Sequence, residues 1–146
     1  NTDGCSIYFE HETGTDQVIA GGTVTAILAE ITSGDFDITQ KRTASGQTIG
    51  MPDLRGDGEF LMKIRRIIPD FISQTGSTTI TLLLRNYPND AAAGSSLGPF
   101  TVTTTTDKVD TRARARAVSI KISNTAASQD WKLGTFRLDI QPDGRR

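Results

Sequence analysis

The sequence has little of what most enzymes use for catalysis. It contains one cysteine, Cys5, and one histidine, His11. A single cysteine can neither close an internal disulfide nor build a cysteine-ligated zinc site. No nucleophile elbow and no phosphate-binding Gly-Lys loop accompanies the histidine. We therefore expect no enzyme, no catalytic residues, no metal and no cofactor, and we interpret Cys5 as a small buried hydrophobe and His11 as a solvated turn residue.

Long hydrophobic runs and an excess of one charge are also missing. No stretch approaches the roughly 20 apolar residues of a membrane span, so we expect no membrane partner. The net charge of -1 and the isoelectric point near 5.8 argue against a dedicated nucleic-acid binder, which usually carries a strongly basic face. The chain begins with Asn1 rather than Met, which predicts a processed chain or a piece of a longer one.

What the sequence does have is threonine, for example the run 103–106. Threonine is β-branched and suits a pleated surface that is half solvated. Such a composition favours sheets with one wet face over long helices.

Apolar residues alternate with polar ones through most of the chain, which is the period of a β-strand. We count seven or eight strands, with Pro69 ending one and Gly98-Pro99 separating two others. The stretches 41–54 and 89–96 are predicted to be long loops. The spacing predicts a single all-β domain over 1–146, an antiparallel β-sandwich, with a β-propeller fragment as the alternative. The mainly apolar residues that share a strand face are Ile27, Ala29 and Ile31; Phe60, Met62 and Ile64; Thr78, Ile80, Leu82 and Leu84; Val118, Ile120 and Ile122; and Phe136, Leu138 and Ile140.

The most unusual stretch is Thr-Arg-Ala-Arg-Ala-Arg-Ala over 111–117. Arg112, Arg114 and Arg116 are two residues apart, so an extended strand would align them in a cationic stripe about 13 Å long. They share parity with the inward-facing Val118, and we expect a β-bulge near 116–118 that turns the alanines inward and the arginines outward. The stripe could contact phosphates, pair with carboxylates of a neighbouring subunit, or simply protect a solvated strand edge against aggregation.

Two shorter motifs have both a functional and an ordinary interpretation. Asp35 and Asp37 would share a strand face and could bind Ca²⁺ or act as acid and base, but a solvated strand beyond the turn or bulge at 33–35 is the default. The Arg-Gly-Asp tripeptide at 55–57 matches an adhesion motif, but with Gly58 it is more simply a hairpin turn.

An ordered set of motifs carries a resemblance to a known family. The set resembles the C-terminal part of tail proteins of short-tailed bacteriophages, of the nozzle or tail tubular type. The most specific parts are the Gly-Pro-Phe, Arg-Ala-Arg and closing Pro-Asp-Gly-Arg-Arg motifs. The set runs Ser33-Gly34-Asp35-Phe36-Asp37-Ile38, Arg66-Ile67-Ile68-Pro69-Asp70-Phe71, Gly98-Pro99-Phe100-Thr101-Val102, 110–116, 118–122, Asp130-Trp131-Lys132-Leu133-Gly134, 137–140 and 141–146.

The resemblance implies a virion protein that forms a homo-oligomeric ring, commonly a hexamer, continuing the DNA channel and retaining packaged DNA until ejection. It implies contacts with other tail or portal-adaptor proteins, non-specific contact with DNA, and an interface or DNA-facing role for Arg112, Arg114 and Arg116. Nozzle proteins are usually much longer, so we expect the chain to be part of a longer tail protein.

The alternative to a tail subunit is a β-sandwich binding module that recognises a host-surface glycan or receptor. Such sites often use exposed aromatic residues, and the candidates are Tyr8, Tyr87 and Trp131. Trp131 is expected to pack in the core beside Leu133 instead.

Overall fold

A computed structural model describes residues 17–19, 23–25, 29–38, 60–87, 89–90, 95–124, 126 and 129–144. Regular structure in these ranges consists of strands without a helix, which confirms the all-β prediction. None of these residues belongs to a helix that could cross a membrane. The strands are β1 Gln17–Ile19, β2 Thr23–Thr25, β3 Glu30–Thr32, β4 Phe36–Asp37, β5 Met62–Ile68, β6 Phe71–Thr75, β7 Thr78–Arg85, β8 Ser95–Val102, β9 Val109–Ala115, β10 Ala117–Ser123, β11 Asp130–Leu133 and β12 Arg137–Pro142.

A five-stranded antiparallel sheet forms one side of the core. Its order is β3-β10-β7-β8, and β4 also pairs with β10 beyond β3. Between β3 and β4, residues 33–35 face only two residues of β10, so one residue bulges, as the motif at 33–35 predicts. The Ser33 hydroxyl accepts the N–H of Ile120 at 2.9 Å and supplies the partner that the bulge removes.

The other side is a long antiparallel ribbon with a bend. β5 pairs with β12, and β6 pairs with β11, in nearly continuous register. The bend lies at 69–70 on one chain segment and at 134–136 on the other. There the Gly134 N–H donates to the Asp70 carbonyl at 2.8 Å. β9 pairs with the far side of β5 and makes this part of the ribbon a three-stranded sheet.

The two sheets enclose one apolar core, as a sandwich requires. These alternating faces are buried on β5 and β10 and partly buried on β12, and on β7 Leu84 is only partly buried. At β3 the predicted face does not enter the core, because Ala29 and Ile31 are exposed, and Ile27 lies outside the described residues. The order β3-β10-β7-β8 joins strands that are distant in the chain, unlike the four-stranded blade of the propeller alternative. The buried cluster consists of Ile38, Met62, Ile64, Ile67, Ile80, Leu82, Val102, Ala113, Ala115, Val118, Ile120 and Ile122.

Pro69 ends β5 as predicted, because β5 stops at Ile68 and the chain pairs again only from Phe71, as β6. Strand boundaries differ from the prediction in two other places. Gly98-Pro99 lies inside β8 and forms a bulge opposite Thr81. A proline is tolerated there because β8 is an edge strand and a bulge needs no ladder donor. The predicted loop at 89–96 is shorter, because Ser95 already pairs with Leu84. The described residues contain twelve strands rather than seven or eight, because β1, β6 and β11 form in segments that were not predicted as strands.

Candidate functional site

The Arg-Ala-Arg stretch lies on β9, at the edge of the three-stranded sheet. Ala113 and Ala115 are buried, whereas Arg112 and Arg114 are exposed on the outer face. The prediction that alanines point inward and arginines outward is therefore confirmed. The small alanine side chains let β9 lie close to the core, while the long guanidinium groups remain in solvent.

The change of face occurs at Arg116, although a simple bulge does not produce it. β9 belongs to the three-stranded sheet and β10 to the five-stranded sheet, so the chain crosses between sheets at Arg116. The Arg116 N–H donates to the Arg85 carbonyl at 3.1 Å, which fastens this corner to the end of β7. Because the chain crosses between sheets at Arg116, the prediction of a stripe of three arginines is wrong. Only Arg112 and Arg114 share a strand face, and Arg116 occupies a half-buried corner.

Arg114 is already engaged within the chain. Its Nε donates to a carboxylate oxygen of Asp143, and the Asp143 backbone bonds to Leu61 at 2.8 Å. The Arg114 side chain is 54% exposed, so this ion pair contributes little stability. Its effect is to hold the end of β12 and the following turn against β9.

Neighbouring cations complete a basic face that the arginine motif alone does not reveal. Lys63 on β5 lies directly across from Arg114 in the ladder. Arg65 is the extra residue of β5 in its ladder with β12, and both Lys63 and Arg65 are exposed. Alternation along β5 predicts that these two side chains face outward. It does not predict that β5 pairs with β9, so the sequence did not associate them with Arg112.

One carboxylate lies within this basic face. Asp110 accepts a hydrogen bond from Arg66 Nε at 2.9 Å, and Lys108 Nζ lies 3.8 Å from its other oxygen. The hydrogen bond from Arg66 lowers the pKa of Asp110, and the charge of Lys108 adds to the effect. Asp110 is therefore ionised at neutral pH and compensates Arg66.

A hollow on the outer face of the five-stranded sheet has balanced charges. Arg85 pairs with Asp35 at 2.6 Å, and Lys121 pairs with Glu30 at 2.7 Å. Asp35, one of the two aspartates considered as a calcium site, is therefore ion-paired with Arg85. Within the described ranges, His, Cys, Asp and Glu form no group of three that could hold a metal ion.

The remaining candidates have separate positions. Trp131 packs against the core, with its ring 6.3 Å from Phe71 in an edge-to-face arrangement, as expected. Tyr87 is 69% exposed. Tyr8, His11, Cys5 and the tripeptide at 55–57 lie outside the described residues.

Comparison with known proteins gives no family assignment. The chain matches no protein-family model, and it has no significant match among curated proteins. The likeness to phage tail proteins therefore rests on the motifs themselves and stays a prediction.

Proposed function

We propose that this chain is a non-enzymatic structural subunit of a bacteriophage virion, of the tail nozzle or tail tubular type. Identical copies would form a ring that continues the DNA channel and retains packaged DNA until ejection. The observation that carries this proposal is the exposed basic face of the three-stranded sheet, formed by β5 and the edge strand β9. A broad, open, charged face suits contact with another macromolecule, such as a neighbouring subunit, a portal adaptor or packaged DNA.

The open edge of β9 supports an assembly role. β9 pairs with β5 on one side, and no described strand forms a ladder with its other side. An unpaired strand edge can add a strand from another chain through backbone hydrogen bonds. The exposed Arg112 and Arg114 on this strand would direct such pairing towards a partner with carboxylates. They would also oppose edge-to-edge pairing of identical arginine strands, which is the edge-protecting role considered above.

The motifs that resemble phage tail proteins lie at bends and corners of this fold, which also supports the proposal. The Pro69-Asp70 and Gly134 motifs meet at the bend of the ribbon, and Arg116 lies at the crossing between sheets. Asp143 fastens the end of β12 to Arg114. These are corners, where the backbone tolerates few substitutions. A family with this fold would therefore keep such residues in this order.

Native mass spectrometry beside a denatured mass measurement tests the ring. The chain has a mass of 15.7 kDa, and a closed ring would give an integral multiple of the denatured mass that persists on dilution. A ring of identical copies would support the proposal. A stable monomer at every concentration would overturn it.

A second candidate, favoured by one observation, is a module that binds a host-surface glycan or receptor. Tyr87 presents an exposed ring at the end of β7, and the Asp90 carboxylate accepts the N–H of Tyr87 at 3.0 Å, which fixes the local turn. An exposed aromatic ring on a fixed turn is a common sugar-stacking surface. Glycan-array binding that disappears in Tyr87→Ala would support this function, and an array without signal would count against it.

A further inference from the structure

A cationic hollow of about 480 Å³ lies over β5 and β9 on the basic face. Four of its lining residues are cations and one is a carboxylate, so its local charge is strongly positive although the whole chain has a net charge of -1. The hollow is lined by Lys63, Arg65, Arg66, Asp110, Thr111 and Arg112.

Most of the positive charge in this hollow is uncompensated. Asp110 is paired with Arg66 at 2.9 Å, which accounts for one cation. Within the described part of the chain, Lys63, Arg65 and Arg112 have no hydrogen bond or ion pair through their side chains. Three converging unpaired cations attract an anion, and two guanidinium groups are well suited to phosphate oxygens.

A second hollow, of about 280 Å³, adjoins the first and differs from it in chemistry. It shares Asp110, Thr111 and Arg112 with the cationic hollow, and the side chains of Leu97 and Phe100 from β8 supply its apolar wall. β8 and β9 form no ladder with each other, and residues of both strands line this hollow. Arg112 therefore stands at the boundary between a cationic and an apolar, aromatic surface.

We propose that these two hollows bind single-stranded nucleic acid, with a backbone phosphate at Lys63, Arg65 and Arg112 and an unpaired base against Phe100. Proteins that bind single strands combine cations that follow the backbone with aromatic side chains that contact bases. A duplex keeps its bases paired and offers no base to the apolar hollow. The inference goes beyond the proposed function, since it does not require a ring.

A strand fits the surface better than a free nucleotide does. Arg114 lies two residues from Arg112 along β9, about 7 Å away at the rise of a strand, and opposite Lys63 in the ladder. Arg114 is paired with Asp143 through Nε, and its remaining N–H groups can contact a second phosphate beyond the first.

Fluorescence anisotropy with a short fluorescein-labelled oligothymidylate tests the inference over a series of salt concentrations. Arg112→Ala should weaken binding about tenfold at low salt and reduce the slope of log K against log salt by about one. Asp110→Asn should strengthen binding several-fold, because it removes the carboxylate that faces the phosphate. Phe100→Leu should weaken binding about tenfold while preserving the circular dichroism spectrum.

Arg137→Ala is the matched control. Arg137 is an exposed cation at the start of β12 and does not line either hollow, so its loss changes the net charge equally. Equal weakening by Arg137→Ala and Arg112→Ala would overturn the site. Equal affinity for duplex, or for a mononucleotide, would overturn the assignment to a single strand. Absence of oligothymidylate binding at low salt would overturn the whole inference.

Discussion

At the residue scale, two glycines allow backbone segments to approach more closely than any side chain permits. A Cβ at Gly98 would lie 2.9 Å from the Ile80 carbonyl oxygen, and this glycine has a φ of 118°. A Cβ at Gly134 would lie 2.7 Å from the Asp70 carbonyl oxygen. The first contact forms the bulge of β8, and the second forms the bend of the ribbon. Both features depend on the missing side chain, and the bulge of β8 also depends on the positive φ that glycine adopts readily.

Gly134→Ala tests this dependence. The added methyl group would push the ribbon away from Asp70 and strain the hydrogen bond between them, so we expect a loss of about 1–3 kcal/mol in the free energy of unfolding. Gly34→Ala is the control, because nothing lies within 4 Å of its Cβ position. Urea denaturation followed by circular dichroism measures both. Equal stability of the two variants would show that the ribbon bends by another means.

At the scale of elements, the alternation of apolar and polar residues predicted the buried faces of strands better than it predicted which strands pair. Thr78, Ile80 and Leu82 of β7 and the apolar face of β10 are buried, because one face of each strand must enter the core. Alternation contains no information on which strand lies beside which. The pairing of β5 with β9, which brings Lys63 beside Arg114, therefore could not be predicted. The break at Pro69 was predicted, but the bend that it forms with 134–136 was missed because it depends on a contact between residues distant in the chain.

In the arginine stretch, the alternation pattern conflicts with that of the following strand, and this conflict predicts a change of face. Arg112 and Val118 have the same parity, yet Arg112 is exposed and Val118 is buried. A regular strand would have to bury guanidinium groups without partners, at high energetic cost. The sequence thus predicted that the chain changes face between them. It did not predict that the change takes the form of a crossing between two sheets.

Ala115→Leu tests which face of β9 meets the core. Ala115 is fully buried, so three extra carbon atoms should overpack the core and destabilise the protein by about 1–3 kcal/mol. Arg112→Leu is the matched control, because the same side chain on the outer face should change stability by no more than about 0.5 kcal/mol. Thermal unfolding followed by circular dichroism compares the two. A larger loss for Arg112→Leu than for Ala115→Leu would contradict the orientation of β9.

At the scale of the whole molecule, one buried cluster joins both sheets. It takes residues from β5, β7, β8, β9 and β10, and Phe71, Trp131 and Leu133 of the β6–β11 pair pack against it. The Gln74 side chain of β6 also donates to the Val102 carbonyl of β8 at 2.8 Å. The bent ribbon is therefore attached to the core along its length. Among the described residues, its far end has no separate apolar cluster that would keep it folded alone.

This attachment predicts that the β6–β11 pair unfolds together with the core. Trp131 is the only tryptophan of the chain and lies on β11, so its fluorescence reports on this pair, while circular dichroism reports on all the strands. Because the ring of Trp131 packs on Phe71 and on the core, the two signals should give the same urea midpoint and slope, as a two-state transition requires. Gln74→Ala should lower both midpoints equally, since the lost hydrogen bond stabilises the shared native state by about 1 kcal/mol. A fluorescence midpoint at lower urea than the circular dichroism midpoint would show instead that the ribbon opens first. That result would make the bend at Gly134 a boundary between two cooperative units.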